Sequence, residues 1–354
     1  MKKVLVIAYF AKNFGDDLFL KILFERYNDV EWTMDVNDEN YRKIFAKYKN
    51  VKIINTFCHK VFRKLELEKL LYKKYDAVVF IGGSIFMETE NWKRTYTYRQ
   101  KIFRSFNEKS IFFIGCNFGP FKSEEFFEKY KSLFGNCKDI CFRDKYSYDL
   151  FSYLDNARVA PDIVFQLKTK KIEKLENSLG ISLIDLKNRK ELIEYQKIYI
   201  NKIVDIIKEA INREIKITLF SFCEREGDMK IIEEITNNLD DKYSNYINIE
   251  NYNGDIERFL DKFKAMENII GTRFHACILS QVFGQGLYPI IYSSKTYNVL
   301  KEIDLIDEYT YIQDLENLNE KHILDTISKN KIKDSKIFLE AEEQFEVLDK
   351  YVKY

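Results

Sequence analysis

Short apolar runs alternate with stretches of helical periodicity from the first residues onward, the pattern left by parallel βαβ units. In the first half, strands are predicted at "KVLVIAYF", "VEWTMDV", "VKIINTFC", "YDAVVFIGG", "SIFFIGCNFG" and "DICFRD". Helices are expected between them, at Asp16 to Tyr27, Arg63 to Lys74, Ser123 to Phe134 and Lys145 to Leu154, and "PDIVFQL" closes the half. The polar, lysine-rich stretch Lys168 to Ser178 lacks periodicity and reads as a linker.

The alternation then repeats. "LGISLID", "EIKITLFSF", "YINIENY", "ENIIGT" and "LYPIIYS" read as strands, with helices around Glu191 to Asn212, from Asp228, and over Ile256 to Ala265. A chain of 354 residues exceeds one comfortable core, so two domains are predicted, 1–167 and 168–334. The tail, 335–354, places Phe338, Leu339, Phe345, Leu348 and Val352 along one helical face able to pack back on the first domain.

Composition narrows the chemistry. Fifty-seven basic residues nearly cancel fifty-six acidic ones, so no net field selects nucleic acid, and no nucleic-acid motif occurs. Six cysteines (Cys58, Cys116, Cys137, Cys141, Cys223 and Cys277) form no CxxC pair and read as buried free thiols of a reducing compartment. Nothing in the sequence calls for a metal. The opening "MKKVLVIAYFAKN" fits a first buried strand better than a signal peptide, and no run reaches the ~18 apolar residues that span a bilayer. A cytoplasmic protein is expected.

Twelve glycines in 354 residues is under half the usual ~7%, so each retained glycine is informative. Gly15, Gly82, Gly83, Gly115, Gly119 and Gly271 fall at or just after predicted strand ends, where open α/β sheets bind ligands. Tight turns explain any one of them; six at one edge suggest a ligand-binding rim. No GxGxxG follows the first strand and no Walker A motif occurs, which disfavours a nicotinamide dehydrogenase or a P-loop ATPase.

Several motifs sit on that rim. In "NFGDD", Asn13 or Asp16 caps the first helix, or Asp16 meets sugar hydroxyls or acts as a base beside Gly15. In "FIGGSIF", Gly82, Gly83 and Ser84 make a small nest for an anion or hydroxyl. In "CFRDKYS", Arg143 either pairs with a neighbouring acid or grips a carboxylate or phosphate. The richest motif is "GTRFHA", where Thr272 ends a strand and Arg273 and His275 stand at a helix entrance. That entrance favours an anion; Arg273 adds a planar charge and His275 a proton donor near working pH. Against this stands the ordinary reading of a capping or core histidine. His59 and His322 lack comparable settings.

Together, the ordered segments "NFGDD", "IGGS", "GCNFGP", "FRDKYS", "APDIVF", "GTRFHA" and "YSSK" resemble the polysaccharide pyruvyl transferase family, from the first strand to about Leu305. The resemblance implies two Rossmann-like domains facing a cleft, as in GT-B glycosyltransferases, with the first on the acceptor side and the second on the donor side. It implies transfer of pyruvate from phosphoenolpyruvate (PEP) onto two sugar hydroxyls, giving a cyclic ketal and phosphate, with no other cofactor. The family's PEP-engaging positions map to Arg143, Arg273 and His275. His275 is then the general acid and Asp16 the group that orients or deprotonates the acceptor. Asn13, Gly15, Gly82, Gly83, Ser84, Thr272 and Lys295 complete the expected substrate-binding set. This reading allows a lipid-linked acceptor and peripheral contact with the cytoplasmic membrane face. Two other functions fit the same pattern: a nucleotide-sugar glycosyltransferase, with Glu224, Glu226 or Asp228 on a ribose, and a non-catalytic glycan-binding protein.

Overall fold

A computed structural model describes the chain except for residues 37, 55–56, 58–60, 63, 66, 107–109, 306, 333–334 and 354. Cys58 and His59 thus lie outside the described residues. Seven strands, β1 (Lys3–Ile7), β2 (Glu31–Met34), β3 (Val51–Ile53), β4 (Ala77–Ile81), β5 (Ile111–Cys116), β6 (Asp139–Phe142) and β7 (Ala157–Val159), form one sheet. Their order is β3-β2-β1-β4-β5-β6-β7 and every pairing is parallel. A second parallel sheet contains β8 (Leu175–Ser182), β9 (Lys216–Ser221), β10 (Ile247–Asn251), β11 (Met266–Gly271), β12 (Gly286–Ile291) and β13 (Thr310–Tyr311). Its order is β10-β9-β8-β11-β12-β13.

Counted from its own first strand, the second sheet runs 3-2-1-4-5-6, the doubly wound order, and the first runs the same with a seventh strand added at its edge. The order reverses between β1 and β4 in one sheet and between β8 and β11 in the other. Such reversals open a crevice beyond the carboxyl ends of the strands, where ligands bind.

Burial on both faces explains the near-continuous apolar strands: every residue of β4, β5 and β12 is buried. The two cores differ in composition. The first is aromatic, with Phe86, Phe113, Phe118, Phe126, Tyr130 and Phe134 in mutual edge and tilted contacts. The second is mostly aliphatic; helix Gln196–Asn212 buries Tyr199, Ile203, Ile206, Ile207 and Ala210 against it at helical spacing.

Two compact units result: Met1–Phe10, Leu18–Gln166 and Lys336–Tyr354 form the first, and Ala11–Asp17 with Leu167–Ser335 the second. The expected domain 1–167 therefore gives up residues 11–17. Phe14 is the reason: fully buried, it packs on Phe222, Tyr252 and Phe259 at centroid distances of 5.4, 5.1 and 4.4 Å. The Phe14 amide also donates to the Phe222 carbonyl at 3.0 Å. The tail counts with the first unit. Buried Gln344 donates to the carbonyls of Phe142 and Ala160 and accepts from the Gly115 amide at 2.9 Å.

Other boundaries move for local reasons. "PDIVFQL" is a 3-10 turn, Ile163–Gln166, because Pro161 lacks an amide proton and the Asp162 carboxylate accepts from Val164 N at 2.9 Å. The last strand of the first sheet, β7, lies just before it. The linker shortens to 168–174, since Leu175 to Ser178 already belong to β8. The tail breaks into two helices around a 3-10 turn, burying Ile337, Phe345 and Leu348 while Leu339 points to solvent.

Candidate active site

In the second unit Gly271, the last residue of β11, lies opposite Ser182, the last of β8, at the strand-order reversal. Ser182 Oγ accepts from the amides of Thr272 (3.1 Å) and Arg273 (3.3 Å), which fixes the chain as it leaves the strand. Thr272 is buried and its hydroxyl meets Tyr199 Oη at 2.9 Å. Helix Phe274–Val282 starts there, with Arg273 at its N-cap and His275 in its first turn.

His275 is partly exposed, and its imidazole lies against Gly15. A Cβ at position 15 would overlap the ring, so glycine is required for the ring to sit where it does. "NFGDD" and "GTRFHA" thus meet inside one unit. Asn13 holds the first of these in shape: its Oδ1 accepts from Gly15 N at 3.0 Å and its carbonyl from Asp17 N at 2.9 Å. Asp17 is buried and accepts from Tyr252 Oη at 2.7 Å, whereas Asp16, in the same turn, is partly exposed. Phe274 meets His275 edge-on at 5.2 Å, and Lys295 Nζ lies 5.8 Å from the Phe274 ring centre. Lys295 is therefore placed beside this motif by helix Ser294–Glu302.

Arg273 departs from expectation. Its side chain is only 8% exposed, and its guanidinium binds Asp228 through Nε and Nη2 and Glu226 through Nη1. Asp228 in turn accepts from the amides of Phe222 and Cys223, each at 2.9 Å, and Glu226 from Asn13 Nδ2 at 3.4 Å. Burial opposes the charge on Arg273, yet Asp228 and then Glu226 raise its pKa well above the usual value. Burial pushes the Asp228 carboxyl up despite Arg273. At Glu226 burial is outweighed by Arg273, with a smaller contribution from Arg189, and the carboxyl falls below its usual value. One cation between two carboxylates is already neutralised. Arg273 is thus shared between Glu226 and Asp228.

The first unit treats Arg143 similarly. At 2% exposure it donates to Asp162 Oδ2 at 2.8 Å and to Asn117 Oδ1 at 2.9 Å, and its guanidinium covers Gly83. Ser84 Oγ reaches the same Asn117 oxygen at 3.4 Å. Gly82, at φ 143°, turns the chain in a conformation that side chains rarely adopt. Asp144 caps helix Lys145–Asp149 by accepting from Ser147 N at 2.8 Å. The rim glycines Gly15 and Gly83 thus make room for side chains of the chain itself.

With this geometry in place, comparison with known proteins is decisive. The family model for polysaccharide pyruvyl transferase matches residues 13–294. The chain belongs to that family. A curated relative, the amylovoran biosynthesis protein AmsJ of Erwinia amylovora, is 22% identical over 270 residues. The match takes in 69% of this chain and 63% of AmsJ, so it spans less than two thirds of that relative. Among solved structures, UDP-GlcNAc 2-epimerase from Methanocaldococcus jannaschii superposes with a TM-score of 0.61 at 13% identity, covering 99% of this chain and 100% of its own. Anabaena Alr3699/HepE in complex with UDP-glucose gives 0.60 at 10% identity, with both chains fully covered. E. coli ADP-heptose LPS heptosyltransferase II gives 0.51 at 12% identity, covering 97% and 100%. At such identities the likeness establishes the fold: two parallel-sheet α/β domains of GT-B type.

In this family member the side chains that sequence reading missed are carboxylates. Glu226 and Asp228, which one reading placed on a ribose, hold Arg273, while Asp162 holds Arg143. The available signal was their placement just after β9 and β7, at the same sheet edges as the arginines. The five described cysteines are free and buried, and burial pushes the Cys141, Cys223 and Cys277 thiols up to about 12. Among the described residues no acid, His and Cys cluster could hold a metal, and no helix is long and apolar enough to cross a membrane.

Proposed function

We propose that the protein transfers pyruvate from PEP to two hydroxyls of a sugar in a glycan or glycan precursor, forming a cyclic ketal and releasing phosphate. The observation that carries this reading is the setting of His275. In a chain of this family, a partly exposed histidine, its ring nitrogen Nε2 buried, is held by Gly15 and a helix start at the crevice between β8 and β11.

The residues suit the chemistry. His275, protonated, gives its proton to the methylene carbon of PEP, which becomes a methyl group and leaves C2 electron-poor. An acceptor hydroxyl adds at C2 and loses its proton, with the partly exposed Asp16 as the acceptor's orienting group or base. A second hydroxyl then attacks C2, the C–O bond to phosphate breaks as the ketal closes, and the second hydroxyl's proton leaves with the departing phosphate. Arg273 acts here as a brace: fixed by Glu226 and Asp228, it holds the entrance of the helix that carries His275.

Calorimetric titration with PEP, with UDP-sugars and CMP-sugars in parallel, tests the donor. Saturable PEP binding supports the proposal. Binding of a nucleotide sugar without response to PEP would make the protein a glycosyltransferase, and binding of glycan alone would make it non-catalytic.

A further inference from the structure

Arg273 is shared with Glu226 and Asp228, and a donor that carries both a carboxylate and a phosphate offers groups for a further cation in the second unit. We infer that Arg189, stacked on Tyr292, is the residue that grips an oxyanion group of the donor; this rests on the PEP reading above. The Arg189 guanidinium carbon lies 4.5 Å from the centre of the Tyr292 ring. Among the described residues Arg189 makes no ion pair, and it is partly exposed. A guanidinium stacked on a ring keeps its N–H donors in its own plane, where a phosphate or carboxylate can accept two at once. The ring fixes that plane in advance, which lowers the ordering cost of binding.

Its position follows from the sheet. Arg189 is on the segment after β8, Glu226 on the turn after β9, Arg273 directly after β11 and Tyr292 directly after β12. In the order β9-β8-β11-β12 these are four neighbouring strands, and all four residues stand at their carboxyl ends around the reversal. The groups sense one another: Arg189 acts on the Glu226 carboxyl, and Tyr292 on Arg273. The segment carrying Arg189 is itself anchored. Asp185 accepts from Lys187 N at 3.0 Å and sits so near Gly227 that a Cβ there would come within 2.8 Å of the Asp185 Cβ.

The test compares the full-length protein with R189A, R189K and Y292A. Titrations use PEP, inorganic phosphate (phosphate group only) and pyruvate (carboxylate only). R189A is expected to weaken PEP binding about 10- to 100-fold, the value of a charged hydrogen-bond contact. Its thermal midpoint should stay at the wild-type value, and its KM for PEP should rise more than its kcat falls. R189K should recover only part of the affinity, because a lysine supplies charge without the planar fork. Y292A should weaken binding in the same direction. A parallel loss for phosphate or for pyruvate tells which group Arg189 holds. Wild-type PEP binding that R189A retains in full overturns the role of Arg189 and leaves the PEP reading standing. A wild-type protein that ignores PEP overturns both.

Discussion

Gly15 and His275 are in contact across 260 positions of sequence, the backbone of one forming the wall against which the imidazole of the other rests. Even a methyl group on residue 15 would overlap Nδ1 and Cγ of the ring. Gly15→Ala should therefore displace the imidazole and lower kcat on the order of 100-fold, the usual result of moving a catalytic group by about 1 Å. PEP affinity should change much less. Wild-type kcat in this variant would show that the ring position is not critical.

His275→Gln should cost roughly 10²- to 10⁴-fold in ketal formation, the range for losing a general acid. The measurement is ketal product by NMR, alongside a thermal melt. A melt at the wild-type midpoint with no product assigns the loss to chemistry. Full turnover would remove His275 from the proton-transfer step.

Arg273→Ala would leave Glu226 and the buried Asp228 without their shared cation. Breaking a buried ion pair from one side costs about 3–5 kcal/mol, so the urea midpoint should drop sharply. An unchanged midpoint with lost PEP affinity would instead make Arg273 a donor contact.

Asp349 ties the tail to the rest of the first unit, accepting from Arg26 (3.0 and 2.6 Å) and Tyr27 Oη (2.5 Å). Burial pushes its carboxyl up, but those hydrogen bonds outweigh it and the pKa ends below the usual value. Because the folded value lies below the unfolded one of ~3.9, this stabilisation is complete above about pH 4. It is lost as pH falls through the folded value. Asp349→Asn should cost about 1–3 kcal/mol at neutral pH and flatten the acid limb of the stability profile. An acid limb identical to wild type would show that other carboxylates set it.

Much of the fold was readable because parallel strands buried on both faces leave apolar runs that periodicity detects; β4, β5 and β11 fall within the runs "YDAVVFIGG", "SIFFIGCNFG" and, nearly, "ENIIGT". β7 was not, since "ARV" at the sheet edge is only partly buried and carries a charge. The motifs containing Gly15, Arg143, Arg273 and His275 were legible as segments. Their partners were not: Asp162, Glu226 and Asp228 meet the arginines through space, and a carboxylate at a strand end looks alike whether it caps a helix, binds a ribose or neutralises a guanidinium. The allegiance of residues 11–17 was equally invisible, because Phe14 is as apolar as any first-domain core residue and only its neighbours reveal where it belongs.

That allegiance has a practical consequence for dissecting the protein. A fragment beginning at Leu167 would contain every strand of the second sheet and the whole of "GTRFHA". It would nevertheless lack Phe14, leaving a ring-sized hole among Phe222, Tyr252 and Phe259, and it would lack Gly15. Supplying residues 11–17 as a separate peptide, or grafting them to the fragment by a linker, is the way to return His275 to its seat.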